Sequence, residues 1–530
     1  MRFLVAISLF SATLCASFFL QGCASPKGED VKAKLDDNVY KIIDSKWQDD
    51  FGGRVNYKVS DVNPGPNDIQ IDKFLPRGTV LTLPRAVAIA TAHNRSYQLE
   101  KENLYVKALD LRLARHQFEP LLMGTGIGGY AKEGAAEGVA VQGDIGMTQM
   151  LSSGTLIAAN LTMSWLEMFT GQGEGGLSSI IDIAVTQPLL RGSDPNVVLE
   201  NLTQAERDTV YQIRSFNRFR KTMVVSIITQ YYQVLQFYDD YQNACENYDT
   251  LSTVYQRAEN LAGAGRLPLY ELDQAKQDLV FARDIRASAQ KEYTQMFDSF
   301  KLSLSVPTEA DFELDINELA ALRLLPRDLP YFSEADAIDT ALVQRLDLAN
   351  KADAVADAER KIVVALDNLQ PQLDIGVASS QKRRIKSLSD PIGFGRIGGM
   401  QLDMNLDRVL EENEYRKTLI FLEQQHRAYE EGTEVVILEI RSAYRDLLES
   451  EERYRAASEG YDLAKQRFTN ALALLEYGRA NTRDVLDAQR DKFTARDDAT
   501  EALVNYAIAT LSFYRDTELL QVRPDGMWRL

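Results

Sequence analysis

The longest uninterrupted feature of this sequence is a run from Pro195 to Gly263 that contains no other Pro or Gly. Such a run is free to form one helix of roughly 100 Å at 1.5 Å per residue. Apolar residues recur within it at the alternating spacing of a coiled-coil seam, namely at Val224, Ile228, Tyr231, Leu235 and Tyr238. A second run without Pro or Gly, from Leu269 to Val306, provides a return helix. Helices of this length predict a rod or the wall of a tube.

The short turn between these two helices occurs twice. A shift of 213 residues superposes Gly265 on Gly478, Arg266 on Arg479 and Glu271 on Asp484. In each copy the glycine can end a helix with positive φ, and a new helix begins after a few polar residues. Earlier stretches recur at an offset of about 250 residues. The chain is therefore predicted to be an internal duplication.

Apolar and polar residues alternate with period two in two regions, at about 118–192 in the first half and 369–406 in the second. This alternation predicts strands. One apolar face against one mixed face suits either a sandwich or a membrane barrel with water inside. The first region is longer by roughly 37 residues. We expect this surplus to lie in the first strand region and its loops, with a longer extracellular loop near 171–176.

The N-terminus has the pattern of a targeting signal. A short basic start and an apolar stretch lead to Leu20-Gln21-Gly22-Cys23. This resembles a bacterial lipoprotein signal in which Cys23 becomes the lipidated first residue, and the alternative is an ordinary secretory signal. Residues 23–80 are polar with scattered Pro and Gly, so we expect a tether with little regular structure, although residues 39–47 could form a short helix. Cys245 is then the single cysteine left for the mature domain, which excludes an internal disulfide.

Composition argues against several classes of function. The net charge of −18 disfavours a nucleic-acid partner. Three histidines, with no HExxH, GxSxG or Walker sequence, leave little material for catalysis or a metal site. The Gly-rich stretch at 124–129 matches a dinucleotide pattern but continues into more alternation, so we interpret it as strand. We expect no enzyme activity and no cofactor.

Two acidic residues directly after the second turn are the strongest candidates for a functional role. Asp484 and Asp487 lie three residues apart in the first turns of a helix and share a face. Their plain role is to complement the helix dipole. If several copies met around an axis, the same pair would form a carboxylate ring, and rings of this kind select cations.

Taken in order, these features resemble the TolC-type outer-membrane efflux proteins. The lipoprotein-like signal, the duplicated helix, hairpin, long helix, turn and return helix, the Gly-Arg-x-x-x-x-Asp-Val-Leu-Asp-Ala-Gln turn and the Gln187-Pro188-Leu189-Leu190 stretch carry the resemblance. It implies a mostly α fold with a membrane β-barrel portion. In a homotrimer, each chain would give four strands to a 12-stranded barrel above an α-helical periplasmic tunnel.

The resemblance also implies roles for the two turns. They would form the periplasmic tip that meets a membrane-fusion adaptor and an inner-membrane pump, through Gly265, Arg266, Gly478 and Arg479. Asp484 and Asp487 would line the narrow entrance with Glu271 nearby. Arg479 and Arg483 would flank Ala480, which stands where some relatives have a basic latch residue.

The sequence thus predicts five segments: a signal peptide at 1–22, a lipidated tether at 23–80, a first repeat at 81–327 with its tip near 263–270, a second repeat at 328–520 with its tip near 476–484, and a tail at 521–530. The predicted function is that of a passive exit duct in the outer membrane, extending into the periplasm. The alternative is an elongated coiled-coil scaffold or adaptor of the envelope without a channel.

Overall fold

A computed structural model describes most of the chain. The described residues are 28–54, 57–59, 78–133, 136–170, 176–324, 333–385, 393–404, 406–477, 479–523 and 528–529. The predicted signal peptide with Cys23, the loop 171–175 and Gly478 lie outside them.

The N-terminal segment has more structure than the sequence predicts. Helix α1 (Gly28–Lys46) occupies 19 residues of the expected tether. Its residues Val39 and Ile43 are buried, because apolar positions three and four apart fall on the face turned to the core. The chain after it stays attached, since the guanidinium of Arg220 donates to the Gly53 carbonyl at 2.8 Å. The expectation of little regular structure is therefore wrong for this part, where the helix begins well before the short one predicted at 39–47.

The helices repeat in two matched sets, as the duplication predicts. After strand β1 (Thr79–Leu81), the first repeat contains α2 (Leu83–His93), α3 (Arg95–His116), α4 (Pro195–Val198), α5 (Glu200–Gly263) and α6 (Leu269–Ser303). A link with β6 (Phe312–Leu314) and α7 (Asn317–Leu324) leads to the second repeat. That repeat contains α8 (Glu334–Gln344), α9 (Leu346–Asn368), α10 (Val409–Glu476) and α11 (Thr482–Asp516), followed by the short strands β9 (Gln521–Val522) and β10 (Trp528–Arg529).

The predicted seam of α5 forms the core between the repeats. Val224, Ile228, Tyr231 and Leu235 are buried, and Tyr238 is half-buried. Strands β1 and β6 pair in parallel beside this seam. The Tyr231 hydroxyl joins them, since it donates to the Leu81 carbonyl at 2.9 Å and accepts from the Asp315 N–H at 3.2 Å. This contact ties the start of the first repeat to the link between the repeats.

All remaining strands form one antiparallel sheet. Its six strands follow the order β2-β3-β4-β5-β7-β8. Their bounds are β2 (Leu121–Glu133), β3 (Ala136–Met150), β4 (Leu156–Thr170), β5 (Gly176–Pro188), β7 (Gln372–Ile385) and β8 (Gly393–Asp403). Within the described residues, the first repeat thus gives four strands to this sheet and the second gives two.

The strand count corrects the expectation taken from the resemblance. Four strands per chain would require one hairpin in each repeat, but β2 and β3 form an additional hairpin. The surplus of the first repeat is therefore paired sheet, and the expected lengthening of the loop near 171–176 does not account for it. A tight turn at 151–155 is the cause, because it reverses the chain and lets β3 pair along the length of β4.

The two faces of the sheet differ in polarity, because directly paired residues point to the same side. We call the side with the larger apolar residues the apolar face; it carries Val141, Ile145, Leu161, Trp165, Ile181, Val185 and Val377. The opposite side is the polar face, with Thr125, Gln142, Asp144, Asn160, Thr162, Ser164, Ser178, Asp182 and Ser380. Among the described helices, none is both long and apolar enough to cross a membrane.

Candidate functional site

The first tip turn ends α5 in the way the sequence predicts. Gly265 has a φ of +68°, a conformation that L side chains rarely adopt. The Arg266 N–H donates to the Leu261 carbonyl at 2.8 Å, which closes the helix end. Helix α6 then begins at Leu269, directly after Pro268. A Cβ at Gly265 would meet no atom within 4 Å, so the backbone conformation is what requires glycine there.

The second tip turn repeats this closure. The Arg479 N–H donates to the Leu474 carbonyl at 2.8 Å, the same bond across five residues that Arg266 makes in the first turn. The glycine between them, Gly478, lies outside the described residues. Because the two turns share this capping bond, the duplication extends to the hydrogen bonds of the tip.

Asp484 has a defined structural role at the start of α11. Its backbone N–H donates to the Asn481 side-chain oxygen at 2.9 Å, and its carboxylate accepts from the Asn481 N–H at 3.0 Å. The two residues form a capping box, which satisfies N–H groups that a helix start leaves free. Asp484 is exposed, so its second carboxylate oxygen can still face solvent.

Asp487 lies close enough to Asp278 of α6 to affect its ionisation. Glu271, which is predicted to lie near the entrance, accepts a hydrogen bond from the Tyr270 hydroxyl at 3.3 Å. Burial raises the pKa of Asp278 on α6. The guanidinium of Arg490, which lies 3.3 Å from the Asp278 carboxylate, lowers this pKa, and the carboxylate of Asp487 raises it. Asp278 follows Glu271 by one heptad, a spacing on one helix face that could have pointed to it.

Arg483 and Asp487 make a loose pair, with 3.9 Å between Nε and the carboxylate, and both remain at least partly exposed. Below them α11 docks on the first repeat. Leu486 packs with Leu251 of α5 and Ala282 of α6. The tip of the second repeat is therefore supported by both long helices of the first.

Higher along α5, two polar seams join it to the second repeat. The arginine seam lies between α5 and α9 near the sheet and consists of Glu200, Arg207, Tyr211, Arg214, Asp353, Asp357 and Arg360. Asp357 is its centre: Arg207 donates at 2.7 Å, Arg360 at 2.8 Å and the Tyr211 hydroxyl at 2.6 Å. Burial alone would raise the pKa of Asp357, but these hydrogen bonds hold it below its usual range.

The acidic seam lies between α5 and α11 and consists of Asp239, Asp240, Asn243, Glu246, Arg496, Asp497, Thr500 and Glu501. Arg496 bonds Asp239 at 2.9 Å and Glu246 at 2.7 Å. No cation is paired with Asp240, one oxygen of which is buried without a hydrogen-bond partner among the described residues. Burial and then the neighbouring carboxylate of Asp497 raise the pKa of Asp240 to about 8.

Sequence reasoning missed both seams, since their residues read as ordinary charged positions on helix faces. The Asn243 amide donates to the Asp497 carboxylate at 2.7 Å across 254 residues of sequence. Among the residues that the structure describes, no group of three or more His, Cys, Asp or Glu side chains is arranged to hold a metal ion.

Comparison with known proteins agrees with this architecture. Residues 337–515 match the family described as outer membrane efflux protein, and no curated protein sequence matches the chain. Similar solved structures include CusC, with 16% identity, a TM-score of 0.60 and coverage of 82% of this chain and 91% of that one. The CmeC outer membrane channel of Campylobacter jejuni has 14% identity, a TM-score of 0.57 and coverage of 91% and 92%.

The open MtrE outer membrane channel of Neisseria gonorrhoeae is also similar, with 14% identity, a TM-score of 0.55 and coverage of 82% of this chain and 88% of that one. Each likeness extends over both repeats, whereas the family match is confined to the second. The chain therefore has the fold of the TolC-type outer-membrane channels, and its residues 337–515 belong to the outer membrane efflux protein family.

Proposed function

We propose that the protein is a passive outer-membrane exit duct of a tripartite export system. The observation that carries this proposal is the continuity of each repeat from sheet to tip. Strands β5 and β8 each lead into a very long helix, and α10 alone has 68 residues, or roughly 100 Å. One chain thus combines a sheet with a rod long enough to cross a wide aqueous compartment.

The sheet suits the membrane part of such a duct. A membrane-spanning strand needs about 9–11 residues. The strands here have 11 to 15 residues, and the apolar and polar faces separate most clearly in β3 and β4. Lipid would contact the apolar face, and the polar face would line a water-filled exit. The scaffold alternative offers no comparable use for a two-faced sheet.

The duct would work as a homotrimer with partners at its tip. The turns at Gly265–Arg266 and at Gly478–Arg479 would contact a periplasmic adaptor, which in turn joins an inner-membrane pump. Energy would come from the pump, since the described part of the chain offers no catalytic constellation. A lipid on Cys23 would add an anchor to the outer membrane, and one acyl chain alone binds a bilayer only marginally.

The entrance would be shaped by the first turns of α11. Asp487, with Arg483 beside it and Asp278 across from it, would form the charged constriction when three copies meet. Asp484 would contribute its outer oxygen and hold the helix start through its capping box. Glu271 and Arg479 would lie at the rim.

Conductance in a planar bilayer at several salt concentrations tests the duct. We expect discrete steps with a preference for cations from the purified, trimeric protein. A matched protein with both tip turns removed should give larger steps, because the constriction is gone. Failure of the trimer to insert into the bilayer would instead favour the scaffold.

A further inference from the structure

The additional hairpin of the first repeat is a full part of the sheet. All thirteen residues of β2 pair with β3, and β3 pairs with β4 from Glu137 to Met150. The Gly-rich stretch at 124–129 lies entirely within β2. This pairing has one register shift, between Glu137 and Gly138, and otherwise runs the length of β3. A hairpin that merely folded over a channel mouth would not need such extensive pairing with the next strand.

The root of the hairpin is fixed at the helical end of the sheet. Gly154 in the turn between β3 and β4 has a φ of +75°, and a Cβ there would lie 2.3 Å from the Gly192 carbonyl. The Gln187 amide donates to the Ser153 carbonyl at 3.1 Å, and the Thr155 hydroxyl donates to Gln187. The turn is thus seated on the connection from β5 to α5, which holds β3 in the wall of the sheet.

The hairpin also continues the polar and apolar faces of the sheet. On the polar face, the Asp144 carboxylate accepts hydrogen bonds from Thr162 of β4 at 2.6 Å and from Thr125 of β2 at 3.3 Å. On the apolar face, Val141 is paired with Trp165. A wall with lipid on one side and water on the other therefore continues through β3, and Thr125 on the polar face and Leu122 on the apolar face extend it into β2.

The free edges of the sheet are β2 and β8. Both expose side chains of the apolar face in a single copy: Leu122 is 76% exposed, Met400 68% and Leu402 56%. An unpaired strand edge is not viable in hydrocarbon, because its backbone groups find no hydrogen-bond partner there. Six strands are also too few for one copy to close alone, since membrane barrels begin at about eight.

The strand directions determine how copies can join. Neighbours alternate along an even number of strands, so β2 and β8 run in opposite directions. We propose that β2 of each copy pairs antiparallel with β8 of the next copy, so that three copies close an eighteen-stranded barrel with a wide exit for bulky hydrophilic cargo. The number of copies rests on the proposed function, and the strand count comes from the sheet itself.

The wider barrel changes where cargo is selected. Barrel diameter grows roughly in proportion to strand number, so the exit is about 1.5 times wider than a twelve-stranded one. Barrels of about 16–18 strands leave an aqueous channel. Selection by size is then left to the tip, and the barrel passes any hydrated molecule that the tip admits.

Cysteine cross-linking tests the pairing. In a Cys245→Ala background, Thr125→Cys on β2 is combined in turn with Ile397→Cys, Gly399→Cys and Gln401→Cys on β8. All four positions lie on the polar face. We expect at least one combination to link neighbouring copies into covalent trimers, seen as a ladder in denaturing gels. The matched control replaces Thr125→Cys with Thr162→Cys on β4, an interior strand that should give no link.

The outcomes separate this inference from the proposed function. Links through position 162 and none through 125 would show a twelve-stranded barrel with the hairpin displaced, and would overturn the inference while keeping the duct. A protein that forms no trimer would contradict the proposed duct itself.

A second measurement is single-channel conductance, in trimers whose two tip turns have been removed. Deletion of residues 121–155 in these trimers should lower the conductance about two-fold, because the cross-section of a barrel follows the square of its strand number. Unchanged conductance in that deletion would also overturn the inference.

Discussion

The arginine seam and the acidic seam both join α5 to the second repeat, yet they treat buried carboxylates in opposite ways. In the arginine seam two guanidinium groups and a hydroxyl surround Asp357, and its pKa falls. In the acidic seam Asp240 faces Asp497 and Glu501 of α11 and Asp239 of its own helix, and its pKa rises. The single guanidinium of that seam, on Arg496, is already engaged by Asp239 and Glu246.

The difference teaches which contact is fixed and which depends on conditions. A carboxylate held by opposite charge keeps its state across the neutral range, so α9 stays on α5 near the sheet. A carboxyl group crowded by like charge changes state near neutral pH. Its helix, α11, is also the helix that begins at the tip. The long helices are thus firmly joined near the sheet and adjustable toward the tip turns.

The largest effect is expected in the arginine seam. Asp357→Asn leaves Arg207 and Arg360 facing each other without their shared anion, and losing one partner of a buried pair costs about 3–5 kcal/mol. We expect a lower thermal unfolding midpoint, followed by circular dichroism at 222 nm. Asp353→Asn is the matched control, since this residue of the same seam is more exposed and should cost much less. Equal losses in the two variants would contradict the central role of Asp357.

A smaller effect of opposite sign is expected in the acidic seam. The pKa of Asp240 is about 8 in the folded chain and about 4 in an unfolded one, so the folded state binds more protons between these values. Its contribution to stability is therefore present at low pH and is lost as the pH rises toward 8. Asp240→Asn cannot ionise, so it should exceed the wild type in stability at pH 8. The expected difference is on the order of 2 kcal/mol, less than the full rise in pKa implies, because Asp240 is only half-buried.

Unfolding midpoints of both proteins, measured from pH 5 to pH 8, check this sign. The curves should converge at the acidic end and separate as the pH rises. Asp239→Asn provides the control, because it breaks the ion pair with Arg496 and should destabilise at every pH in that range. A wild-type protein whose midpoint does not fall relative to Asp240→Asn would show that Asp240 is not held protonated.

The two seams also mark how far the sequence could be used. Long runs without Pro or Gly predict α5 and α10, and the repeated Gly-Arg turn predicts the matched capping bonds of Arg266 and Arg479. These features are local, so their chemistry is visible in the chain. The seams are not local: Asp240 and Asp497 become a pair only when α11 is laid against α5.

The strand region shows the same limit in another form. Alternation predicts strands at 118–192, but it does not count them, because a turn inside a sheet and a loop beyond it have similar composition. The Ser152-Ser153-Gly154 turn is visible in the sequence, but its packing against Gly192, which places β3 in the sheet, is visible only in the fold. Sequence reasoning therefore located the surplus residues in the first strand region and its loops and expected a longer loop, whereas they form an additional hairpin of β2 and β3.

The smallest effect separates two roles at the tip, where α11 leaves the support of the acidic seam. Asp484 serves the capping box, so Asp484→Ala should cost about 1 kcal/mol and loosen the helix start. Asp487 makes one loose contact, with Arg483 at 3.9 Å, so Asp487→Ala should leave stability unchanged.

If Asp487 forms the carboxylate ring of the entrance, the Asp487→Ala variant should instead have a weaker preference for cations and weaker block by multivalent cations, with trimer assembly intact. Hydrogen exchange at the start of α11 reports the first change, and reversal potentials across a salt gradient report the second. Selectivity that is lost in Asp484→Ala and kept in Asp487→Ala would move the ring to Asp484, and selectivity kept in the double variant would remove it from the tip.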